Sequence, residues 1–529
     1  MIREADRLRT FAPLPGRSIK HRASLYADDL VVFVTPAAED LTCLQQILLL
    51  FAGASGLIAN IDKCVASPIR CTEEMMLDVQ TAFPCVVAPF LCRYLGISLS
   101  LKRLKRAEEQ ALVDSVAARI PTWKSGLLTH AGRVLLTKVT LSAIPVHISI
   151  ACCLSTWAIE QINRRRRAFL WCGTDTALGG KCKLAWTTVC RPTSLGGLGV
   201  LDLRFFGLAL RLRWEWLSRV EPDRCWATLP ARAEKNVVAM IDASMTVIIG
   251  DGASAKLWTD NWSNVGSLCS FAPQLFAAIS PRGKKMSLND GLFQNRWARE
   301  IHGADTVQVL LQYLRVWAIL RAVVLDPHVP DRLTWKWSPD GKYSVSSTYR
   351  AFFEGSTALL GAKELGKTKA PLKVKFFMWL VLHRRIWTAN RRLRHGLQDS
   401  DDCNLCSQAS ETCDHLFVGC VTTRQLWYRL LLPLGLQDLT PLTEESLGIW
   451  WLRQRERLSA DSRPPFDTLL LLITWTIWKE RNNRVFNRIT SNLAAIAQEV
   501  IREAQCWCEA GYSSLAHLIS LWSQNQVVS

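Results

Sequence analysis

Four residues with soft metal-binding atoms lie close together in the second half of the chain. They are Cys403, Cys406, His415 and Cys420. Structural Zn²⁺ takes four nitrogen or sulfur ligands in a tetrahedral shell, and a Cys-x₂-Cys pair followed by a His/Cys pair can close one. Because the protein supplies all four ligands, the pattern predicts a structural zinc and not a catalytic one. Free thiols are the alternative, and Cys413 is a fifth candidate whose position so near His415 makes it an awkward ligand.

A second group that could carry out chemistry is the adjacent pair Asp28 and Asp29, which interrupts an apolar stretch. Two-metal nucleotide chemistry needs hard oxygen ligands that project from a rigid turn into a small volume. Two like charges side by side are costly without a cation, which favours Mg²⁺ at this turn. The alternative is an ordinary Asp-Asp β-turn without a metal.

The elements around the Asp-Asp pair follow a strand–turn–strand–helix order. Apolar residues flank the pair over residues 24–34, a pattern typical of two strands joined by a tight turn. Leu41, Leu44, Leu48 and Phe51 then recur at helical spacing on one predicted face, and the helix is predicted to stop at Gly56. The pair is therefore expected at the tip of a hairpin that precedes a helix.

Basic residues in two segments are candidates for contact with phosphate groups. They are Arg164, Arg165, Arg166, Arg384, Arg385, Arg391 and Arg392. In the second segment apolar and basic residues alternate at helical spacing, so that one face can pack while the other meets phosphate. The aromatic residues there, among them Phe376 and Phe377, are expected to be core and not base-stacking platforms. A merely solvated basic face is the alternative.

The charge balance of the whole chain agrees with nucleic-acid partners. The 529 residues carry a formal net charge of +18, and an excess of Lys and Arg favours RNA and DNA because bound phosphates release counterions. The first residues lack a secretory signal and the 18 cysteines follow no framework, so reduced thiols in an intracellular protein are expected. Apolar runs such as Leu469–Ile473 are too short to span a bilayer, and no membrane association is expected.

The motif Tyr26-Ala27-Asp28-Asp29 resembles the YADD box of reverse transcriptases, and an ordered series of later segments resembles the LINE-type retroelements of plants. The similarity covers most of the chain and includes the zinc-binding domain that follows the polymerase in these elements. The similar segments are Ser55–Lys63, Tyr94–Gly96, Arg165–Trp171, Gly196–Gly199, the Cys/His cluster with His415–Phe417, and Ile477–Asn483, for which no chemistry is evident.

The resemblance implies specific roles for the residues of the box. Asp28 would bind both Mg²⁺ ions, Asp29 would support it, and Tyr26 would lie beside the primer and template. The run Arg164–Arg167 would be the exposed face of a thumb-like helix that grips the template backbone. The family's other metal-binding Asp lies on a strand well upstream, whereas Asp6 is the sole Asp before the box here. A truncated and inactive polymerase is therefore expected.

The expected fold is α+β, with a partial palm built from the YADD hairpin and helices. The expected parts are a partial reverse transcriptase palm (1–100), a helical thumb-like region (101–220), a connector (221–330), a small zinc-binding domain (331–431) and a helical tail (432–529). The zinc-binding part is predicted to open with a hairpin whose strands include Trp335 and Tyr343.

Three functional hypotheses follow from these expectations. The first is an RNA-directed DNA polymerase of a LINE-type retroelement, inactive as it stands. The second is a non-catalytic, zinc-dependent nucleic-acid-binding protein, located in the nucleus or in a cytoplasmic ribonucleoprotein. The third is a remnant whose palm does not fold, because edge strands would be left unpaired.

Overall fold

Helices dominate the computed structural model, in which 58% of residues are helical and 6% lie in strands. The structure describes residues 1–14, 22–90, 93–98, 104–120, 125–177, 180–222, 224, 235–303, 306–442 and 445–524. This mixed, helix-rich content confirms the α+β class at the level of secondary structure. The finer division into palm and thumb stays a prediction.

The chain folds as two compact units, each assembled from three separate segments. Unit 1 comprises Met1–Gln110, Val146–Ser155 and Arg204–Phe352. Unit 2 comprises Ala111–Pro145, Thr156–Leu203 and Phe353–Ser529. The two units interleave along the sequence, whereas the sequence predicts five consecutive parts.

The helices of the described residues are numbered α1 to α24 in chain order. They are Ile2–Arg7, Ala38–Ser55, Glu73–Ala82, Arg106–Ala118, His130–Leu136, Ala143–Ala151, Thr156–Cys172, Trp186–Val189, Leu203–Val220, Lys235–Ser244, Leu268–Phe271, Pro273–Ala278, Leu288–Leu292, Arg296–Arg299, Val307–Arg321, Val345–Ala351, Ala362–Lys367, Leu372–Leu382, Ala389–Arg394, Val421–Leu431, Leu447–Glu456, Arg463–Asn482, Leu493–Glu509 and Ala516–Gln524.

The strands all belong to unit 1 and pair two by two within the described residues. They are β1 Ala23–Tyr26 with β2 Asp29–Val32, β3 Val65–Ala66 with β4 Val86–Val87, β5 Arg93–Tyr94 with β6 Ile97–Ser98, and β7 Met245–Ile248 with β8 Arg332–Trp335. Only the β3–β4 pair is parallel among them. Among the residues that the structure describes, the Asp-Asp hairpin is therefore a two-stranded ribbon.

The predicted helix after the hairpin is α2. It ends at Gly56, whose φ of 73° is the left-handed conformation that favours glycine at a helix end. Of the predicted apolar face, Leu41 and Leu44 are buried and Ile47 joins them, whereas Phe51 is exposed, because the small core reaches only the first turns of α2. Leu44, Ile47 and Phe11 form a small core against which part of β2 packs.

The connector expected at 221–330 has its own core in unit 1. Trp258 and Trp297 are fully buried there with their rings 6.2 Å apart. Strand β8 pairs with β7 far upstream, so that Trp335 lies opposite Met245. The predicted hairpin with Tyr343 is wrong, because Tyr343 is not in a strand and α16 begins two residues later at Val345, with Ser344 as its N-cap.

Unit 2 is organised around one large hydrophobic core. Helix α22 runs through it, and Leu469–Ile473 are fully buried. Trp427 of α20 and Trp522 of α24 belong to the same core, and the Trp522 indole donates to the Leu430 carbonyl over 2.9 Å. The tail helices thus share one core with the segment that carries the Cys/His cluster.

One helical stretch among the described residues, His130–Ile150, is long and apolar enough to cross a membrane by length and composition alone. Of its most apolar window, 28% is buried, and a π-helical turn at Thr137–Leu141 interrupts it. A core helix of a soluble protein can have the same length and apolar composition. The expectation of no membrane association stays a prediction.

Candidate metal centre and nucleic-acid surface

The four predicted zinc ligands converge in unit 2, and their ligand atoms all lie within 4.8 Å of one another. The sulfur atoms of Cys403 and Cys420 are 3.9 Å apart, and the Cys406 sulfur is 3.4 Å from Nε2 of His415. With Zn–N and Zn–S distances of about 2.0 and 2.3 Å, a tetrahedral shell of one nitrogen and three sulfurs has N–S and S–S edges of roughly 3.5 and 3.8 Å. The arrangement therefore fits a single structural zinc ion.

Local backbone structure positions the two halves of this site. The first half is a turn in which the Ser407 amide donates to the Cys403 carbonyl over 2.8 Å, with Ser407 at a φ of 53°. The second half is the π-helical turn His415–Gly419, and Cys420 is the residue before α20. The His415 amide is held by the Thr412 hydroxyl at 3.0 Å. Both halves are fixed by short-range hydrogen bonds, which explains why spacing alone revealed the site.

The ligand thiols are electrostatically coupled. A hydrogen bond from the Cys403 thiol lowers the pKa of Cys420 well below its ordinary value, and the same contact, with burial, raises the pKa of Cys403. These shifts favour a thiolate at Cys420 beside a protonated thiol at Cys403. A bound cation would displace that proton, because zinc binds cysteine as thiolate.

Cys413 lies outside the ligand group. Its side chain is 6% exposed and belongs to the hydrophobic core of unit 2. Burial raises the pKa of Cys413 to about 12, so it remains a neutral thiol. Its exclusion agrees with the expectation that it is an awkward ligand.

A buried carboxylate fastens the cysteine turn to the rest of unit 2. Glu411 is fully buried and accepts hydrogen bonds from the Ala389 amide at 2.7 Å and from the Asn404 side chain at 3.0 Å. The same carboxylate forms an ion pair with Arg481 of α22 at 2.7 Å. Arg484 also reaches the cysteine turn, since it donates to the Leu405 carbonyl at 3.3 Å.

Sequence analysis did not identify Glu411, Arg481 and Arg484, the residues that support the cysteine turn. The segment Ile477–Asn483 was recognised as recurrent but without chemistry, and Arg481 lies inside it. A signal was present, because α22 ends its apolar stretch in the three charged residues Lys479, Glu480 and Arg481, and a charge on a buried helix needs a partner. Only the identity of the partner was out of reach.

The four arginines upstream of the cysteines differ in exposure. Arg384 is 65% exposed and forms an ion pair with Asp414 at 2.7 Å, and Arg385 is exposed. Arg391 and Arg392 are half-buried, with their guanidinium groups over the rings of Trp387 at 4.4 Å and Phe486 at 5.1 Å. Burial lowers the pKa of Arg391, and Arg385 lowers it further.

The arginine run of α7 is not a uniformly exposed face. Arg164 is exposed, and Arg165 lies 4.0 Å from Asp114. Arg166 is fully buried and donates to the Ser142 hydroxyl at 2.7 Å and to the Leu201 carbonyl at 2.9 Å. The expected exposed position is therefore wrong for Arg166, whose side chain fixes the fold of unit 2.

The Asp-Asp pair sits in unit 1, at the exposed tip of the β1–β2 hairpin. Asp28 lies in the turn, and Asp29 begins β2 opposite Tyr26, which is 64% exposed. The Tyr94 hydroxyl lies 2.9 Å from that of Ser24, so the YLG-like segment contacts this hairpin. No group of three or more metal-binding side chains in the described residues includes either Asp.

Asp6, the one Asp upstream of the Asp-Asp pair, contacts an arginine and not the hairpin tip. Asp6 forms an ion pair with Arg22 at 3.1 Å, and the buried Arg22 also lies 3.9 Å from the carboxylate of Asp40. Arg22 further donates to the Phe33 carbonyl at 3.2 Å. These contacts tie the first helix to the hairpin and give Asp6 a structural role.

Comparisons with known proteins agree with the zinc centre. Residues 343–427 match the family described as zinc-binding in reverse transcriptase. An Arabidopsis thaliana protein, named as a candidate ribonuclease H protein, is 26% identical over 432 residues, which cover 74% of this chain and 66% of the relative. The chain thus spans just under two thirds of that relative's length. Together these likenesses support a retroelement-derived protein that contains a reverse-transcriptase zinc-binding domain.

Proposed function

We propose that this chain is a zinc-dependent nucleic-acid-binding protein derived from the reverse transcriptase of a plant LINE-type retroelement. The observation that carries the proposal is the convergence of Cys403, Cys406, His415 and Cys420 in a segment that also presents exposed arginines. RNA and DNA are the proposed partners, since the chain has a formal net charge of +18. The plant origin of the relative in the comparison supports the same assignment.

In this proposal zinc acts structurally. It would cross-link the Cys403 turn to the start of α20, and its binding free energy would stabilise the local fold. The fixed turn then holds the neighbouring arginines at the surface. Arg384 is positioned by its ion pair with Asp414, one residue before His415. Arg385 is exposed and can meet a phosphate oxygen.

The experiment that tests the proposal is a binding titration of the full chain with labelled RNA and DNA at several salt concentrations. We expect binding with little sequence preference and a steep loss of affinity as salt rises. Prior removal of zinc by a chelator should weaken binding. Equal affinity with and without zinc, or no binding at low salt, would contradict the proposal.

A second candidate function is RNA-directed DNA polymerisation, with Mg²⁺ held by Asp28 and Asp29. The contact between Tyr94 and Ser24 favours it, because two family-like segments are adjacent in space. The residues present supply only half of a two-metal site, since Asp6 is paired with Arg22. We therefore propose that the chain by itself does not polymerise.

The name of the Arabidopsis relative raises ribonuclease H as a further candidate activity. Cleavage of that kind needs several carboxylates around metal ions. In the described residues after Cys420 no group of three acidic side chains is arranged to hold a metal. We propose no nuclease activity for this chain.

A further inference from the structure

An open cavity of about 380 Å³ lies in unit 2, and none of the four metal-binding residues lines it. Its volume falls within the roughly 300–1,000 Å³ of typical ligand sites. The walls come from the start of α5, from α18 and the loop after it, and from α22. We call it the aromatic pocket, since its lining includes the rings of Phe376, Phe377, Trp387, Trp475 and Trp478.

Ring-to-ring contacts hold most of the aromatic side chains of the aromatic pocket, and Trp387 is held from outside by His395 at 5.2 Å. Phe377 meets Trp475 edge to face at 5.2 Å, and it lies 5.8 Å from Trp478. His130 stacks on Phe376 at 5.3 Å with an interplanar angle of 13°. Such pairs fix ring orientation. The pocket therefore presents a rigid π-surface that does not have to be assembled when a ligand arrives.

Three cations surround these rings. Arg391 lies 4.4 Å from the centre of Trp387, and the Lys373 ammonium lies 5.9 Å from the centre of Trp475. Lys183 lines the cavity, and burial lowers its pKa, as does the nearby Arg391. No acidic residue is among the described residues of the lining. The surroundings would therefore attract an anion.

The wall contributed by His130 is neutral. Burial lowers the pKa of His130 to about 4, with Lys183 and Arg133 lowering it further. At neutral pH the imidazole therefore adds a ring surface and no charge. The pocket thus has a flat, uncharged wall that can contact the base of a nucleotide and a neighbouring cationic rim that can contact its phosphate.

We propose that the aromatic pocket receives an unpaired base of single-stranded RNA or DNA, while Lys183, Lys373 and Arg391 meet the flanking phosphates. The inference rests on the proposed nucleic-acid binding and names the form of nucleic acid that this surface takes. Every base has a π-face, so stacking holds single strands with little sequence preference. An apolar peptide side chain would fill the cavity as well, but it gives the three cations no partner.

The test compares two fluorescently labelled strands of ten nucleotides on the full chain: oligothymidylate and a strand of identical backbone that carries no bases. We expect the base-free strand to bind about tenfold more weakly, because it cannot stack although its phosphates remain. Trp387→Leu should remove most of this difference and leave the salt dependence unchanged. Trp387→Phe should retain most of it.

The matched control is Trp337→Leu. Trp337 is also half-buried beneath a lysine, with the Lys336 ammonium 4.9 Å from its ring, yet it lies in unit 1 and outside the pocket. The Trp337→Leu chain should therefore show the same difference in affinity between the two strands as the wild-type chain. Equal affinity of the wild-type chain for both strands would overturn the inference without any variant, and would leave nucleic-acid binding itself standing. Failure of both strands to bind at low salt would overturn the proposed function as well.

Discussion

The guanidinium group of Arg481 lies 2.7 Å from the carboxylate of Glu411, and both side chains are fully buried. This ion pair joins positions 70 residues apart. Glu411 lies within the loop between the two halves of the zinc site, so the pair joins the tail helix α22 to that loop. Breaking one partner of such a pair leaves an uncompensated buried charge.

The first prediction concerns this pair. Arg481→Met should lower the free energy of unfolding by about 3–5 kcal/mol, since it removes one partner of a buried ion pair. The double variant Arg481→Met/Glu411→Gln should recover part of that stability, because glutamine is neutral and still accepts from the Ala389 amide. Thermal denaturation measures stability, and a colorimetric chelator measures zinc release, which should be faster in the single variant.

Arg502→Met is its matched control. Arg502 also pairs with a glutamate, Glu499, at 2.7 Å, but at 60% exposure. Exposed pairs contribute little to stability, so neither the melting temperature nor the rate of zinc release should change measurably. A similar effect of both substitutions would mean that the buried pair has no special role at the zinc site.

The second prediction concerns the ligand set. The full chain should contain close to one zinc ion, measured by atomic emission. Cys406→Ser should abolish stoichiometric zinc, whereas Cys413→Ser should retain it, because the Cys413 thiol is buried outside the group. Loss of zinc from Cys413→Ser in a chain that is still folded would show that the assignment is wrong.

The third prediction concerns the basic surface. Arg384→Gln/Arg385→Gln should weaken binding to RNA and DNA and reduce the salt slope by about one for each phosphate that these arginines neutralise in the wild type. These two arginines are preferable to Arg391 and Arg392, whose stacking on aromatic rings would confound the result. Arg502→Gln removes an exposed charge elsewhere in unit 2 and should leave the slope unchanged. An unchanged slope in the double variant would mean that this surface is merely solvated.

The fourth prediction concerns the hairpin. The wild-type chain and Asp28→Asn should both show no primer extension on an RNA template with Mg²⁺ or Mn²⁺. The reason is that two carboxylates on an exposed turn cannot hold two metal ions without further ligands. Extension by the wild type that disappears in Asp28→Asn would reveal another carboxylate that completes the site.

The fifth prediction concerns pH. The pKa of His130 is lowered to about 4 in the folded chain, from 6.5. As the pH falls below about 6.5, His130 becomes protonated in the unfolded chain but stays neutral in the folded chain. The free energy of unfolding therefore decreases between pH 6.5 and 4. His130→Phe keeps the stacked ring without the titration. It should reduce the loss of stability between pH 7 and 5 by on the order of 1 kcal/mol, after allowance for partial solvent screening. Parallel stability curves for the two chains would contradict this.

Local patterns predicted the features that local forces determine. The zinc ligands were found because both halves of the site close within a few residues, and the Asp-Asp turn was found for the same reason. The prediction that the run Arg164–Arg167 forms an exposed face is wrong for Arg166, and helix geometry alone indicates why. Four consecutive helical residues, about 100° apart, cover nearly the whole circumference, so one of them must face the core.

Long-range relationships were beyond such patterns. The sequence around Trp335 indicates a strand, but nothing near it indicates that Met245 is its partner. The aromatic pocket likewise draws its walls from α5, α18 and α22, which are far apart in sequence. Periodicity predicts which residues face a core, and it does not predict which helices share that core.

The separation of Glu411 from Arg481 also has a consequence for the order of synthesis. A chain grows from its amino end, so the metal-binding cysteines leave the ribosome before the arginine that secures them has been made. At about 5–20 residues per second, the 70 intervening residues take roughly 4–14 seconds. For that interval the nascent cysteines can take up zinc but lack their buried ion pair, so secure loading of the metal must wait until Arg481 has been made and α22 has folded.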